Sequence, residues 1–246
     1  MLAWLRCWLV ILPGIVLSTV VMSSLSLLVS LFSSTGRAQH KLAKAWARSL
    51  LRITSIRVIV EGLENVPPGG SYVFIANHQS YFDVPVILPH IAAQFRFLAK
   101  KPLFSVPFIG YHLKRSGHLA VDSTDPRESL KSMSEAARVI QEKGISILLF
   151  PEGGRSFGEL EPFKDGAAYI AIKAGVPVVP IGLTGTGKIL PLHGRVIRPG
   201  PVVMRIGKPI ATIELTLQDR SRLTQDLHQR VSELLAPTPI VEPIVR

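Results

Sequence analysis

The chain has 246 residues, with 28 Lys and Arg against 17 Asp and Glu for a formal charge of +11, and one cysteine. That length suits one domain of ordinary size plus an appendage, and a single cysteine excludes both a disulfide framework and a Cys-rich zinc site. The charge excess is not distributed as a nucleic-acid surface would be: residues 1–57 hold seven basic and no acidic side chains, which leaves 21 basic against 17 acidic residues beyond them.

From Cys7 to Gly36 no residue is charged, and most side chains are Leu, Val, Ile, Trp, Met or Phe. Crossing roughly 30 Å of hydrocarbon takes about 20 such residues. Pro13-Gly14 interrupts the run, so it reads as a span from Gly14 to Phe32 or as a hairpin dipping into one leaflet. A cleaved signal peptide has a shorter apolar core and a small-residue cleavage site; a buried core helix is the other competing reading. After Arg37, Leu42, Trp46, Leu50 and Ile53 fall on one helical stripe with Lys41, Lys44, Arg48 and Arg52 around it. An amphipathic helix of this kind suits a headgroup layer, and an ordinary helix packing its apolar stripe on the domain would look the same; if the first segment spans, the positive charges that follow it place the domain on the cytoplasmic side. The expected organisation is a membrane-anchoring segment over 1–54, a domain over 55–236 and a loose proline-bearing tail over 237–246.

Beyond Ser55, β-branched runs alternate with helical stretches. Strands are expected at Ile56–Val60, Tyr72–Ala76, Phe95–Ala99, His118–Val121, Ile145–Phe150, Val176–Leu183 and Val202–Ile206. Helices are expected at Asp83–Ala92, Pro126–Lys143, Lys164–Ala174 and Leu217–Leu235. The alternation implies an α/β fold, a mixed sheet flanked by helices.

Two strand ends carry chemistry. Asn77-His78-Gln79-Ser80-Tyr81-Phe82-Asp83 follows one strand and precedes a helix, where open α/β sheets present ligands. Deprotonating an alcohol as it attacks a carbonyl suits an imidazole whose tautomer a carboxylate fixes, and Asp83 can fold back onto His78 across a turn. Taken alone, that spacing also fits a surface or capping pair. Phe150-Pro151-Glu152-Gly153-Gly154-Arg155-Ser156 follows a second strand. Gly153 and Gly154 let a phosphate approach the backbone, Arg155 presents a planar fork of donors, and Glu152 suits a glycerol hydroxyl. A glycine turn with a surface arginine would look the same.

Together the two pieces resemble the glycerophospholipid acyltransferase family, the group that contains bacterial 1-acylglycerol-3-phosphate acyltransferases. Its first motif is matched at Asn77, His78 and Asp83, and its third from Phe150 to Ser156 with Gly154 in place of Thr. Val176-Pro177-Val178-Val179-Pro180 looks like the fourth, and Leu98-Ala99-Lys100-Lys101-Pro102-Leu103 is similar to the Ala-Lys-x-Glu-Leu segment, with Pro102 where Glu is usual. The likeness covers about residues 55–210. One departure matters: the second motif normally ends in Asp-Arg, whereas Asp122 is followed by Ser123. The resemblance implies a phosphate held by Arg155 and Lys100, with Lys101 nearby and Arg127 as a substitute for the missing arginine.

The implied reaction transfers a fatty acyl group from acyl-CoA or acyl-ACP to the free hydroxyl of a lysophospholipid, 1-acylglycerol 3-phosphate first among acceptors. His78 acts as general base oriented by Asp83, and Asn77, Glu152, Gly153 and Gly154 complete the substrate site. The thioester is a co-substrate and no cofactor is implied; the histidines lack ligand spacing, so no metal is expected. The expected location is the cytoplasmic membrane, with membrane lipid as a partner and nucleic acid excluded. Glycerol 3-phosphate or a lyso-ornithine lipid are the alternative acceptors that Ser123 keeps open, and a non-catalytic lipid-binding protein is the alternative from another class. Gly182-Leu183-Thr184-Gly185-Thr186-Gly187-Lys188 imitates a phosphate-binding loop. Ile189 stands where that loop needs Ser or Thr, and Pro191 argues against the helix it requires. A turn lining the acyltransferase cleft is expected there instead.

Overall fold

A computed structural model describes residues 2–32 and 35–236; the expected tail over 237–246 lies outside the described residues. Helix α1 (Leu2–Arg6) continues through a π-helical turn at Cys7–Ile11 into α2 (Leu12–Ser30). Pro13 has no N–H to give the ladder, and the wider π turn just before it absorbs the irregularity. The chain therefore runs as one helix, not as a hairpin at Pro13-Gly14. The stretch Trp4–Ser30 is long and apolar enough to cross a membrane, and only 17% of its apolar window is buried, too little for a core helix.

Helix α3 (Arg37–Thr54) turns back along α2. Its stripe is not left for headgroups: Leu50 is buried, Trp46 Nε1–H donates to Thr19 Oγ1 of α2 at 3.1 Å, and Ile53 packs beside Gly14. Ala43, Ala47 and Leu51 press on the main core. The hydropathy pattern of a lipid-facing helix and of a helix wedged between two partners is the same; here the exposed basic Lys41, Arg48 and Arg52 are what remain outward.

The seven strands are β1 (Arg57–Glu61), β2 (Val73–Ala76), β3 (Phe95–Lys100), β4 (Leu119–Val121), β5 (Ser146–Leu149), β6 (Val178–Thr184) and β7 (Pro201–Ile206). Their order in one sheet is β1-β7-β6-β2-β5-β3-β4, and every pairing is parallel except β6 with β7. This is the expected mixed α/β sheet. The central β2 and β5 are buried throughout, which is why they read as continuous apolar runs. One face packs on α3 and α4 (Asp83–Ile87); the other packs on α6 (Pro126–Lys143), α7 (Gly166–Ala174) and α9 (Arg220–Leu235).

Helix α6 has the predicted bounds, because Asp125 caps the amides of Arg127 and Glu128, Pro126 occupies the first turn, and Gly144 ends the helix at φ 61°. Helix α4 stops at Ile87, short of the expected Ala92, since Pro89 supplies no N–H. Two helices were not anticipated: α5 (Ile109–Arg115) and the single turn α8 (Thr186–Ile189). The latter corrects the expectation that Pro191 would forbid a helix after β6; one turn fits before the proline. The loop does not line the cavity. Ile189 is buried in the core and Gly187 abuts Gln79, so the segment backs the His78 loop from behind.

Candidate active site

Because β2 and β5 are parallel neighbours, the segments leaving their carboxyl ends emerge side by side. Backbone bonds tie them together: the His78 amide donates to Glu152 Oε1, and the Ser156 amide donates to the His78 carbonyl at 2.8 Å. The two motifs, 72 residues apart in the chain counted from His78 to Phe150, thus form one rigid ledge.

His78 Nδ1 lies 2.7 Å from Asp83 Oδ2, and the same oxygen accepts from the amides of Gln79 at 2.8 Å and Ser80 at 2.9 Å. Asp83 opens α4 and is fully buried. A carboxylate held by two backbone donors cannot swing away, so it fixes the imidazole with its proton on Nδ1 and leaves the Nε2 lone pair free. Nε2 has no hydrogen bond among the described residues. The ring stacks on Phe150 at 4.0 Å between centroids and 14° between planes, which sets its orientation. His78 lines a cavity of about 1140 Å³ whose wall is mostly apolar.

The same cavity is lined by Gly153, Gly154 and Arg155 of the ledge, with Lys100 and Lys164 against the two glycines, and also by Ser123. Gly153 has φ 74°, which favours glycine, and the end of the Lys164 side chain lies close against it. The Arg155 guanidinium lies over the Tyr81 ring, 3.6 Å from its centroid. Stacking on the ring face leaves its in-plane N–H donors unspent. None of Lys100, Arg155 and Lys164 forms an ion pair among the described residues, so three cations converge on one glycine turn; Asp165, on the same cavity wall, pairs with Arg220 at 3.5 Å instead.

Several expected ligands sit elsewhere. Asn77 does not face the cavity: Nδ2–H donates to the Leu183 carbonyl at 3.0 Å and Oδ1 accepts from the Leu183 amide at 2.7 Å, which stitches the end of β2 to β6. Glu152 is buried and uses both oxygens on the amides of His78 and Glu161. Burial pushes its carboxyl above the usual range despite those bonds; it clamps the ledge and is not part of the cavity wall where a glycerol hydroxyl would lie. Lys101 points away and pairs with Asp122 at 3.4 Å. Arg127 is exposed on the first turn of α6 and is not part of the cavity wall; Ser129, Leu130 and Met133 are the residues of that helix that line it. Ser123, where the family arginine would stand, does line the cavity.

Sequence reasoning missed Lys164, Tyr81 and Arg220, all three on the cavity wall. An aromatic inside Asn77–Asp83 and an unpaired lysine nine residues after Arg155 were the available signals. It also missed a polar group deeper in the same cavity, His40, His112 and His118 around Arg96. His118 Nδ1 accepts from the Phe97 amide at 2.8 Å, and His112 Nδ1 meets Ser26 Oγ of α2 at 2.7 Å. Burial holds His40 down to about 3 and His112 to about 4, with neighbouring cations adding to the shift. His118 is also well below its ordinary value through burial, and burial lowers Arg96 to about 10.

Comparison with known proteins agrees with this geometry. The chain is 38% identical over 174 residues to the chloroplastic 1-acyl-sn-glycerol-3-phosphate acyltransferase of Brassica napus, covering 70% of this chain and 50% of that protein. It is 28% identical over 213 residues to the Saccharomyces cerevisiae protein of the same description, covering 85% and 70%. The chain spans about half the length of the chloroplastic relatives it matches. The crystal structure of the 1-acyl-sn-glycerophosphate acyltransferase PlsC from Thermotoga maritima superposes with a TM-score of 0.77 at 26% identity, over 96% of this chain and 99% of that one. Residues 57–184 match the Acyltransferase family, and with His78, Asp83 and the glycine turn in register at adjacent strand ends, the chain belongs to that family.

Proposed function

We propose that this protein transfers a fatty acyl group from a thioester donor, acyl-CoA or acyl-ACP, to the free hydroxyl of 1-acylglycerol 3-phosphate. The observation that carries this reading is the His78–Asp83 pair beside three unpaired cations on the wall of an apolar cavity. Nε2 of His78 takes the proton from the acceptor hydroxyl as its oxygen attacks the thioester carbonyl. Asp83 holds the Nδ1–H and stabilises the imidazolium that forms. The amides of Gly154 and Arg155, which make no backbone hydrogen bond among the described residues, are available to the developing oxyanion. The imidazolium then protonates the departing thiolate. Oxygen replaces sulfur on the acyl carbon directly, so neither an acyl-enzyme nor a cofactor enters.

Lys100, Arg155 and Lys164 supply the positive field for a phosphomonoester. The names of the relatives support this acceptor. Ser123 in the cavity wall favours a second reading, an acceptor that lacks the phosphomonoester, such as a lyso-ornithine lipid. On this reading the site works at a membrane with α2 as the anchor, and the exposed basic residues of α3 favour a domain on the cytoplasmic side. The experiment is direct. Purified protein is incubated with palmitoyl-CoA or palmitoyl-ACP and a panel of lysolipids, and products are identified by mass. Phosphatidate is the expected product; acylation of none of the acceptors overturns the reading.

A further inference from the structure

After residues 1–57, a second acid-free stretch runs between Asp83 and Asp122. Its middle forms a 3-10 turn, Lys101–Ser105, followed by α5. The inner face of α5 is tied to α2 through the Ser26–His112 bond. The 3-10 turn, the connection and the start of α5 expose apolar side chains where a soluble protein would place polar groups: Leu103, Val106, Phe108, Ile109 and Tyr111 are all exposed. Phe108 is 44% exposed and sits at φ 61°, ψ −55°, a region a bulky L-residue rarely enters. The fold holds that strain while leaving the phenyl ring outward, the inverse of what burial would select. Lys114 and Arg115 flank the patch and are exposed. Next to it, α2 turns Leu25, Leu28 and Leu31 outward. Leu103 and Ile109 also belong to the cavity wall, so the patch borders the mouth of the site.

We propose that residues 103–115 are a second membrane-contact element, which seats the mouth of the cavity on the bilayer. Leu103, Val106, Phe108 and Tyr111 enter the boundary between headgroups and acyl chains, and Lys114 and Arg115 meet anionic headgroups. A bilayer is the occupant the observations single out. The patch is continuous with a helix long enough to span, it is rimmed by cations, and no acidic residue within it would be repelled by lipid phosphate. The proposal rests on the reading of α2 as an anchor, and it adds that the acceptor can slide from the bilayer into the cavity without crossing water.

The test uses the full chain carrying Phe108→Cys, labelled with an environment-sensitive nitrobenzoxadiazole probe; Cys7 is fully buried and stays unlabelled in the folded protein. Leu28→Cys and Glu142→Cys, labelled in the same way, report the anchor and the far side of α6. On phosphatidylcholine vesicles with 30 mol% phosphatidylglycerol, the probe at position 108 should shift to the blue and resist iodide quenching. The probe at 28 should do the same, and the probe at 142 should do neither. Protection at 28 without protection at 108 overturns the proposal and spares the anchor; protection at neither overturns the anchor reading as well. Lys114→Glu with Arg115→Glu should lower kcat/KM about tenfold or more on acceptor in anionic vesicles. The same pair should leave it unchanged on acceptor in neutral detergent micelles. Equal loss in both media would show damage to the fold and not to membrane contact, and would sink the proposal.

Discussion

Two groups of histidines share one cavity, and their surroundings separate them. His78 has a buried carboxylate on Nδ1 and a free Nε2 at the cavity wall. Among the described residues His40, His112 and His118 have no carboxylate acting on them; the charges they feel are those of Arg96, Lys44 and one another. An imidazole with a carboxylate behind it gains stabilisation when it accepts a proton, which is what a base needs. An imidazole buried among cations is held neutral and serves as a hydrogen-bond group in packing. The difference teaches that a histidine's role follows from the charge behind it more than from its access to the cavity.

The strongest way to break this comparison is to remove the base. His78→Ala should lower kcat by roughly 10²–10⁴-fold with acyl-donor binding nearly intact, while His118→Gln should change kcat little. Steady-state kinetics on both variants decides it, and near-normal turnover by His78→Ala would sink the whole site. Asp83→Asn should cost a similar factor through the lost tautomer. The double variant should be hardly worse than the worse single one; additive losses would show that the two residues do not act as a unit.

The cations at the mouth come next. Arg155→Ala should raise the acceptor KM by an amount equivalent to about 2–5 kcal/mol, as for one partner removed from a buried charge pair, discounted because Arg155 is only partly buried. The donor KM should stay nearly constant, and equal damage to both would assign Arg155 to the donor or the fold.

Acid sharpens the other side of the comparison. His112 titrates near 4 in the folded chain and near 6.5 when unfolded. Between those values the unfolded chain takes up protons that the folded chain refuses. Stability is therefore fully present above pH about 6.5 and is lost as pH falls towards 4, by up to about 1.4 kcal/mol per pH unit for each such imidazole. Melting temperature followed from pH 7.5 to 4.5 should fall, and His112→Gln should flatten the curve. A flat curve for the unaltered chain would contradict the neutral cluster. The smallest effect expected is from Ser123→Arg, a several-fold lower KM for phosphate-bearing acceptors only. No gain would show that Lys100, Arg155 and Lys164 already saturate the phosphate.

What the sequence determined by itself is local. Seven strands and four helices were legible because β-branched runs, an Asp-Pro cap and terminal glycines act over a few residues, and Asp83 reaches His78 across a turn of five. The apolar N-terminal run was equally plain, although not its continuous path through Pro13, which depends on a π turn. What only the tertiary structure decided is which side chains share a space. Asn77 and Glu152 lie within the motifs yet spend their polar atoms on the backbone of Leu183, 106 residues away, and of His78, 74 residues away. Tyr81 comes to Arg155 and Lys164 to Gly153, while Arg127 stays off the cavity wall although Leu130 of the same helix lines it. The stripe of α3 and the outward ring of Phe108 likewise depend on what packs beside them. A residue's type and spacing set what chemistry it can do, but which hydrogen-bond partner reaches it first is settled by contacts between distant segments, and those have no periodicity along the chain.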